Sequence, residues 1–220
     1  MSLLREYIRE LLTEGEGAKT SQDFIRIPGT VIRVLDGGDE IEIYYDKQMS
    51  KEGSPNPRRT SSGRLTSGEL EPGVIPWGDI TIGREDVHGP CGGAFMVGGA
   101  VADHGWGPLL YDVAMEYATL RGGGMFADRT SVTGEARKVW AYYLGNRGDV
   151  TAHQMDDLEN TLTPDIEEDN CDQFTAAGNP NVSKVEDYDT DWVKSPLSKR
   201  YTKPPTTIDA LRKAGRLKER

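Results

Sequence analysis

The sequence predicts an α/β (α+β) fold. Three observations predict it: a β-hairpin pattern near residues 24–45, a strand followed by a glycine turn and a helix between 92 and 124, and a further strand and helix directly after that. The chain has 220 residues, enough to bury a core, but its 26 Gly and 12 Pro indicate much loop. The folded part is therefore expected to be smaller than the chain.

Residues 1–14 are predicted as a short amphipathic leader helix, followed by a polar linker over 15–23. Its apolar residues recur at helical spacing, namely Leu3, Leu4, Tyr7, Ile8, Leu11 and Leu12. Charged residues interrupt every apolar run, which excludes a secretory signal, and the stretch is shorter than the roughly 20 apolar residues that cross a bilayer. The apolar stripe is expected to dock on a partner or on the protein's own domain.

Residues 24–150 are predicted as the folded domain. FIRIPGTVIRVLDGGDEIEIYY has the pattern of two strands joined by a turn, since Ile41, Ile43 and Tyr45 alternate with polar residues after the glycines. Residues 46–73 have almost no apolar side chains and are predicted as a mobile loop.

Two short strands are predicted next, in VIPWGDITIG and GGAFMVGGAVA. A helix follows, which Pro108 begins and Gly122 to Gly124 end. MFAD is predicted as a strand, and TGEARKVWAYYLGN as a helix capped by Thr133, with Trp140 and Tyr143 turned inward.

Residues 151–220 are predicted as an acidic arm and a basic tail. Residues 149–191 carry 1 basic and 13 acidic side chains, whereas 192–220 carry 9 basic and 2 acidic ones. Short helices are expected at QMDDLENTL and TIDALRKAG, with Leu158, Leu162, Ile208 and Leu211 making contacts. The tail either folds back on the acidic body or contacts a polyanion such as DNA; the net charge of −10 disfavours nucleic acid.

The two cysteines, Cys91 and Cys171, are far apart in sequence, which favours reduced thiols of a cytosolic protein over the alternative of a disulfide. His88 and Cys91 have a spacing that suits two metal ligands, but no second pair accompanies them. No metal site is predicted.

The glycine turn is the stretch of the sequence that most strongly suggests a ligand-binding site. Gly105 and Gly107 precede the helix directly, and a helix N-terminus with bare amides is a ready site for a phosphate. The alternative is that these glycines serve only the turn and close helix packing.

Residues 92–147 resemble the GNAT superfamily of N-acetyltransferases in their order of strand, glycine turn (Ala102 to Gly107), helix, short strand and helix. The resemblance implies a mixed sheet flanked by helices. In that family the turn and helix start bind the pyrophosphate of acetyl-coenzyme A, and two strands splay to admit the pantetheine arm. By resemblance the cofactor-binding residues here are Gly98, Gly99, Ala100, Gly105, Trp106 and Gly107.

Two residues are candidates for catalysis. His104 lies in the glycine turn, where it could act as a base or cap the helix, and Tyr142 lies on the second helix. Ala102 and Trp140 occupy positions where the family usually has a Gln or Arg and a Tyr. Two interpretations therefore remain open: an acyltransferase that acetylates an amine, and a non-catalytic protein with the same fold.

The end of the leader, Leu12-Thr13-Glu14 before Gly15, resembles the capsid-targeting peptide of T-even-type tailed phages. In those phages the prohead protease cuts such a peptide after it has docked internal proteins on the scaffold. The resemblance implies cleavage between Glu14 and Gly15, the phage scaffold or capsid interior as a partner, and a location in the host cytoplasm and the virion interior. A host protein is then a conceivable substrate, and the alternative is an internal or structural virion protein with a degenerate GNAT-like fold.

Overall fold

The computed structural model describes residues 18–47, 76–84, 88–129, 132–172 and 192–220. These residues form a mixed α/β structure built on an eight-stranded sheet. The leader 1–14, with Glu14 and Gly15, and residues 48–73 of the predicted loop lie outside the described residues.

The strands are β1 (Thr30–Asp36), β2 (Glu40–Lys47), β3 (Gly78–Gly83), β4 (Phe95–Ala102), β5 (Met125–Ala127), β6 (Thr151–Gln154), β7 (Lys199–Thr202) and β8 (Leu217–Glu219). Their order in the sheet is β6-β7-β5-β4-β3-β2-β1-β8. Neighbours are antiparallel except for the β4–β5 and β1–β8 pairs, which are parallel. The α-helices within the described residues are α1 (Ser21–Ile25), α2 (Gly107–Arg121), α3 (Gly134–Asn146) and α4 (Thr206–Lys213).

The hairpin, the two following strands and both long helices form as predicted. β1 and β2 pair around the glycine turn, with Asp36 opposite Ile41. Pro108 lies in the first turn of α2, and the Thr133 hydroxyl accepts from the Ala136 amide to cap α3. Trp140 and Tyr143 are buried, so the inward face of α3 is also as predicted.

One face of the sheet carries the main core. Alternate strand residues on this face pack with α2, α3 and α4 in a single apolar cluster that includes Ile43, Ile80 and Tyr201. The opposite face carries a smaller cluster around Phe126 and Met155. The alternation of buried and half-buried residues along β3 is what a sheet with one packed face requires.

The structure corrects the expected start of the first strand. Phe24 and Ile25 lie in the short helix α1, and the strand begins only at Thr30. Thr20 and Asp23 form a capping box, in which the Asp23 amide donates to the Thr20 hydroxyl and the Thr20 amide donates to the Asp23 carboxylate. These bonds favour a helical turn where the apolar pattern alone predicts a strand.

The predicted helix at QMDDLENTL is also wrong, because a buried carboxylate organises this stretch as a loop. The Asp156 side chain accepts from the amides of Leu162 and Thr163 at 2.7 and 2.9 Å. Such bonds compete with helical ones. Leu158 and Leu162 are exposed rather than packed, whereas Ile208 and Leu211 on α4 are buried as predicted.

Residues 151–220, read from sequence as an arm and a tail, contribute β6, β7, α4 and β8 to the sheet and its helix layer. Arginine and lysine side chains of this part are engaged by acids of the same chain: Lys203 pairs with Glu116, and Arg212 with Glu219. The tail therefore folds back on the body, which is the first of the two alternatives.

The two cysteines are joined as a disulfide, which corrects the expectation of reduced thiols. It links Cys91 before β4 to Cys171 at the end of the 155–172 loop, across 80 positions. The Cys91 amide donates to the Asn170 carbonyl at 2.8 Å and the Cys171 amide to the Asp156 carbonyl at 2.9 Å. A closed loop of this length stabilises the folded chain by about 4.5 kcal/mol in the chain-entropy account.

Candidate functional site

The parallel strands β4 and β5 pair over a short distance only. The ladder has three pairs, which end at Val97 opposite Ala127. On its other side β4 contains a bulge, because Ile82 faces Val97 and Thr81 faces Gly99, which leaves Gly98 without a partner on β3. A bulge bends its strand and is common beside active sites. From Gly98 to Ala102, β4 therefore has an edge that β5 does not cover.

The glycine turn leads from the end of β4 into α2. Its carbonyls are used inside the protein: Asp103 accepts from the Trp106 amide, Gly105 from the Lys19 amide, and Trp106 from the Tyr45 hydroxyl. The amides of Gly105 and Gly107, in contrast, have no acceptor within the described part of the chain. Gly105 has φ +78°, a conformation that favours glycine. The turn is therefore fixed through its carbonyls, while the amides of Gly105 and Gly107 have no acceptor in the described chain.

A cleft of about 550 Å³ lies where the uncovered edge of β4 meets this turn. Its walls are the end of β4, the turn, the first two turns of α2 and the beginning of α3. The chain turns away from the sheet after β5 to reach α3, and this divergence opens the space. The cleft therefore combines backbone donors at a helix start with an unpaired strand edge.

The charged side chains that line the cleft are acidic. They belong to Asp79, Asp103 and Glu135, and among the described lining residues there is no Lys or Arg. The Asp103 carboxylate accepts from the Trp77 amide at 2.7 Å, and the Asp103 amide donates to the Trp77 carbonyl at 2.8 Å, so this residue ties the turn to the chain before β3. The cleft offers neutral hydrogen-bond donors but no positive side chain.

Tyr111 is the buried aromatic residue of the cleft wall. Its ring stands edge-on to Trp140 of α3, with 5.7 Å between centroids. Burial raises the pKa of Tyr111 to about 12, which keeps the phenol protonated at physiological pH.

The structure brings several of the predicted site residues together and not others. Ala100, Gly105, Gly107 and the exposed His104 line the cleft. Gly98 and Gly99 lie on the same exposed stretch of β4. His104 does not cap α2, since no side chain bonds to this helix end.

Trp106 and Tyr142 lie elsewhere. The Trp106 side chain is buried against Phe24 and Tyr45, and its amide is used within the turn. Tyr142 is half-buried on α3, beside Tyr143 and the Arg147 guanidinium, and is not a lining residue of the cleft. Of the two catalytic candidates, only His104 is at the cleft.

Sequence reasoning missed Asp79, Glu135 and Tyr111 as residues of the cleft wall. The position of Tyr111, four residues after Gly107, was an available signal, because residues four apart share one helix face. The sequence contains no such signal for Asp79, because its place beside the turn follows from the pairing of Gly78 with Ala102.

The histidine and cysteine with metal-ligand spacing do not form a metal site, because Cys91 is in the disulfide. Within the described ranges there is no group of three or more His, Cys, Asp or Glu that could hold a metal ion. Nor does any helix in those ranges have the length and apolar character needed to span a membrane.

The comparisons with known proteins add no relative: no family model, no curated protein and no solved structure matches this chain. The case for a function therefore depends on the cleft itself.

Proposed function

We propose that this protein is a GNAT-like acyltransferase that binds acetyl-coenzyme A in the cleft and acetylates an amine. The observation that carries the proposal is the position of the unpaired Gly105 and Gly107 amides beside the uncovered edge of β4. An extended ligand with amide groups and an anionic end matches both features.

The order of elements supports the proposal. β4, the glycine turn, α2, β5 and α3 follow one another as in the family that the sequence resembles, and the β4–β5 ladder stops after three pairs. The strand edge from Gly98 to Ala102 is where the pantetheine amides would bond as a further strand does. A Cβ added at Gly99 would meet no atom within 4 Å, so the face of β4 at this residue is open.

The chain's own residues would bind acetyl-coenzyme A, orient its thioester and accept the proton of the amine. The turn amides would hold the pyrophosphate, and the β4 edge would align the thioester, which supplies an electrophilic acyl carbon. Attack of the amine on that carbon would form the C–N bond as the C–S bond breaks, and coenzyme A would leave as its thiolate. His104, exposed at the cleft, is the group we assign to take the proton from the amine.

The acidic lining favours a positively charged acceptor. Asp79 and Glu135 would attract an ammonium group, such as that of a lysine side chain or a polyamine, before it loses its proton. The same carboxylates repel phosphates, so the fit to acetyl-coenzyme A rests on neutral donors and shape rather than on charge.

The lack of positive side chains among the described lining residues favours a second candidate, a non-catalytic internal or structural virion protein that keeps a degenerate GNAT-like fold. Ala102, which lines the cleft where the family usually has a Gln or Arg, points the same way. In that case the cleft would not bind acetyl-coenzyme A.

Ligand-dependent stabilisation separates the two candidates. If acetyl-coenzyme A is present at a hundred times its Kd, the folded state gains about 2.7 kcal/mol, and the melting temperature rises by several degrees. No rise at millimolar ligand would contradict the acyltransferase. Release of free thiol with lysine peptides and with polyamines then identifies the acceptor.

A histidine pair tests the assigned base. His104→Gln is expected to lower kcat by about a hundredfold with little effect on binding of acetyl-coenzyme A. His153→Gln is the matched control, because His153 lies on β6 and contacts the Thr202 hydroxyl away from the cleft. Equal rates for both variants would remove His104 from the mechanism.

The packaging proposal is tested separately. If the leader targets this protein to a phage capsid, N-terminal sequencing of virion material should begin at Gly15. A protein that retains Met1 in the virion would contradict it.

A further inference from the structure

The chain enters the described structure beside the cleft. The Lys19 amide donates to the Gly105 carbonyl at 2.9 Å, and Gly105 lines the cleft. Further along the chain, the Phe24 ring stands edge-on to Trp106 of the same turn, with 6.0 Å between centroids. These two contacts fix the segment that begins at Lys19 on the glycine turn, so the residues that precede Lys19 start at the wall of the cleft.

The cleft wall combines apolar side chains with negative charge. Half-buried Val101, Pro108 and Val139 line it together with the three carboxylates, and the described lining residues include no Lys or Arg. Tyr111, which is only 5% exposed, also lines the cleft, and its hydroxyl has no hydrogen-bond partner in the described chain. An occupant that brings apolar side chains, a positive edge and a hydrogen-bond acceptor would match this wall.

The leader 1–14, which lies outside the described residues, has the complementary pattern. On the helix that its spacing predicts, successive residues turn by about 100°, so the apolar side chains cover one face. Arg5 and Arg9 then follow the edge of this face that Leu12 forms. Glu6 and Glu10 lie beyond the opposite edge. One edge of the apolar face is therefore positive, which complements the acidic lining of the cleft.

The connection between the leader and the cleft is short. Leu12 precedes Lys19 by seven residues, which span at most about 25 Å when fully extended. A tether of this length gives the leader an effective concentration in the millimolar range, so a contact with a millimolar Kd is already about half populated. The cleft, with a volume of about 550 Å³, has room for several side chains of an amphipathic helix.

We propose that the leader docks in the cleft of its own chain, with its apolar face on the apolar wall and its arginine edge toward Asp79 and Glu135. Docked there, it covers the glycine turn and excludes other ligands. The inference goes beyond the proposed function and does not depend on it, because any ligand of the cleft has to displace the leader. Cleavage after Glu14, or a partner that binds the same apolar face, would open the cleft.

Amide hydrogen exchange of the full-length chain tests the inference. The Gly105 and Gly107 amides have no acceptor in the described chain, so they exchange freely in an open cleft and slowly under a docked leader. Leu11→Asp places a carboxylate at the centre of the apolar face and should speed the exchange of both amides by at least about tenfold. Thr13→Asp is the matched control, since it adds the same charge about 200° further round the helix, and it should exchange as the wild type does.

Three outcomes would overturn the inference. They are free exchange of both amides in the wild type, protection that Leu11→Asp leaves unchanged, and protection that is lost on dilution, which would assign the cleft to a second copy of the chain.

Titration with acetyl-coenzyme A separates this inference from the proposed function. Together the two predict tighter binding to Leu11→Asp than to the wild type, because the docked leader competes for the cleft. Equal affinity of the two proteins would overturn the inference and leave the proposed function standing. If Leu11→Asp loses the protection of both amides and still does not bind acetyl-coenzyme A, the proposed function is refuted and the inference stands.

Discussion

The N-termini of α4 and α2 differ in whether their backbone amides have acceptors within the protein. At α4 the amides of Thr207 and Ile208 donate to the buried Glu116 carboxylate at 2.8 and 2.7 Å, and Lys203 balances its charge. At α2 the Gly105 and Gly107 amides have no acceptor in the described chain and face a cleft. The difference shows that the fold can close a helix end with a carboxylate of its own, whereas the amides at the open end of α2 are left to solvent or, in the proposed function, to a ligand.

The largest expected effect is at the closed end. Glu116→Ala leaves the Lys203 ammonium buried beside bare amides, and we expect it to lower the free energy of unfolding by about 3–5 kcal/mol in urea titrations. At the open end, His104→Ala should change it by less than about 0.5 kcal/mol, because this side chain is exposed.

A double variant separates charge from packing. Glu116→Leu with Lys203→Met removes both buried charges and should recover much of the stability lost in the single variant. If Glu116→Ala is no more damaging than the double variant, the closed end does not depend on the ion pair.

The second effect concerns the two glycines of the open end. Gly105→Ala forces a side chain into φ +78° and should cost about 1–2 kcal/mol of stability. A Cβ at Gly107 would lie 3.9 Å from the Ala102 Cβ, an ordinary contact, so Gly107→Ala should fold as well as the wild type. Coenzyme A titration of Gly107→Ala then measures how closely the ligand approaches the backbone; unchanged affinity would exclude close approach.

How much the sequence predicts differs along the chain. The hairpin, the ends of α2 at Pro108 and Gly122, and the Thr133 cap come from residues adjacent in sequence, and all three were predicted. The Thr20–Asp23 capping box was also a local signal, but the apolar pattern around Phe24 concealed it.

The features that were not predicted join distant residues. Glu116 and Lys203 are 87 positions apart, and the disulfide spans 80. Neither pairing follows from periodicity or composition, because it depends on the order of the strands in the sheet. The candidate site shows the same division: its glycines were found in the sequence, whereas Asp79 and the unpaired Tyr111 hydroxyl required the packed structure.

A third, smaller effect is a pH dependence at Asp156, a second buried carboxylate that accepts from several backbone amides. Burial alone would raise the pKa of Asp156, but hydrogen bonds from the amides of Thr163, Asp157 and Leu162 outweigh it and hold the pKa below its ordinary 3.8. A lowered pKa means that this stabilisation is complete above pH 3.8 and is lost as the pH falls through the folded-state value.

Hydrogen exchange between pH 6 and pH 3 measures this effect. Protection of the Leu162 and Thr163 amides should fall in acid, while amides of the α2 interior keep theirs, and Asp156→Asn should remove the pH dependence. Uniform loss across both regions would mean global unfolding instead.

The smallest expected effect is electrostatic. Asp79→Asn removes a carboxylate from the cleft and should strengthen coenzyme A binding by a few fold at low salt, with the gain decreasing as salt is added. Asp209→Asn, on the exposed side of α4, is the control and should change nothing. A gain that is insensitive to salt would point to a change in shape rather than in charge.

The extra residue in β4 has an implication for how such a cleft arises. Because β3 skips Gly98, the side chains of Ala100 and Ala102 remain on the same side of the sheet as Val97, as they would if that glycine were missing. The core does not use this residue, and its deletion is expected to straighten the strand without moving any side chain to the wrong side. A single codon therefore sets the bend of the strand beside the cleft, so that the shape of a ligand groove can change in one genetic step while the hydrophobic interior is inherited unchanged.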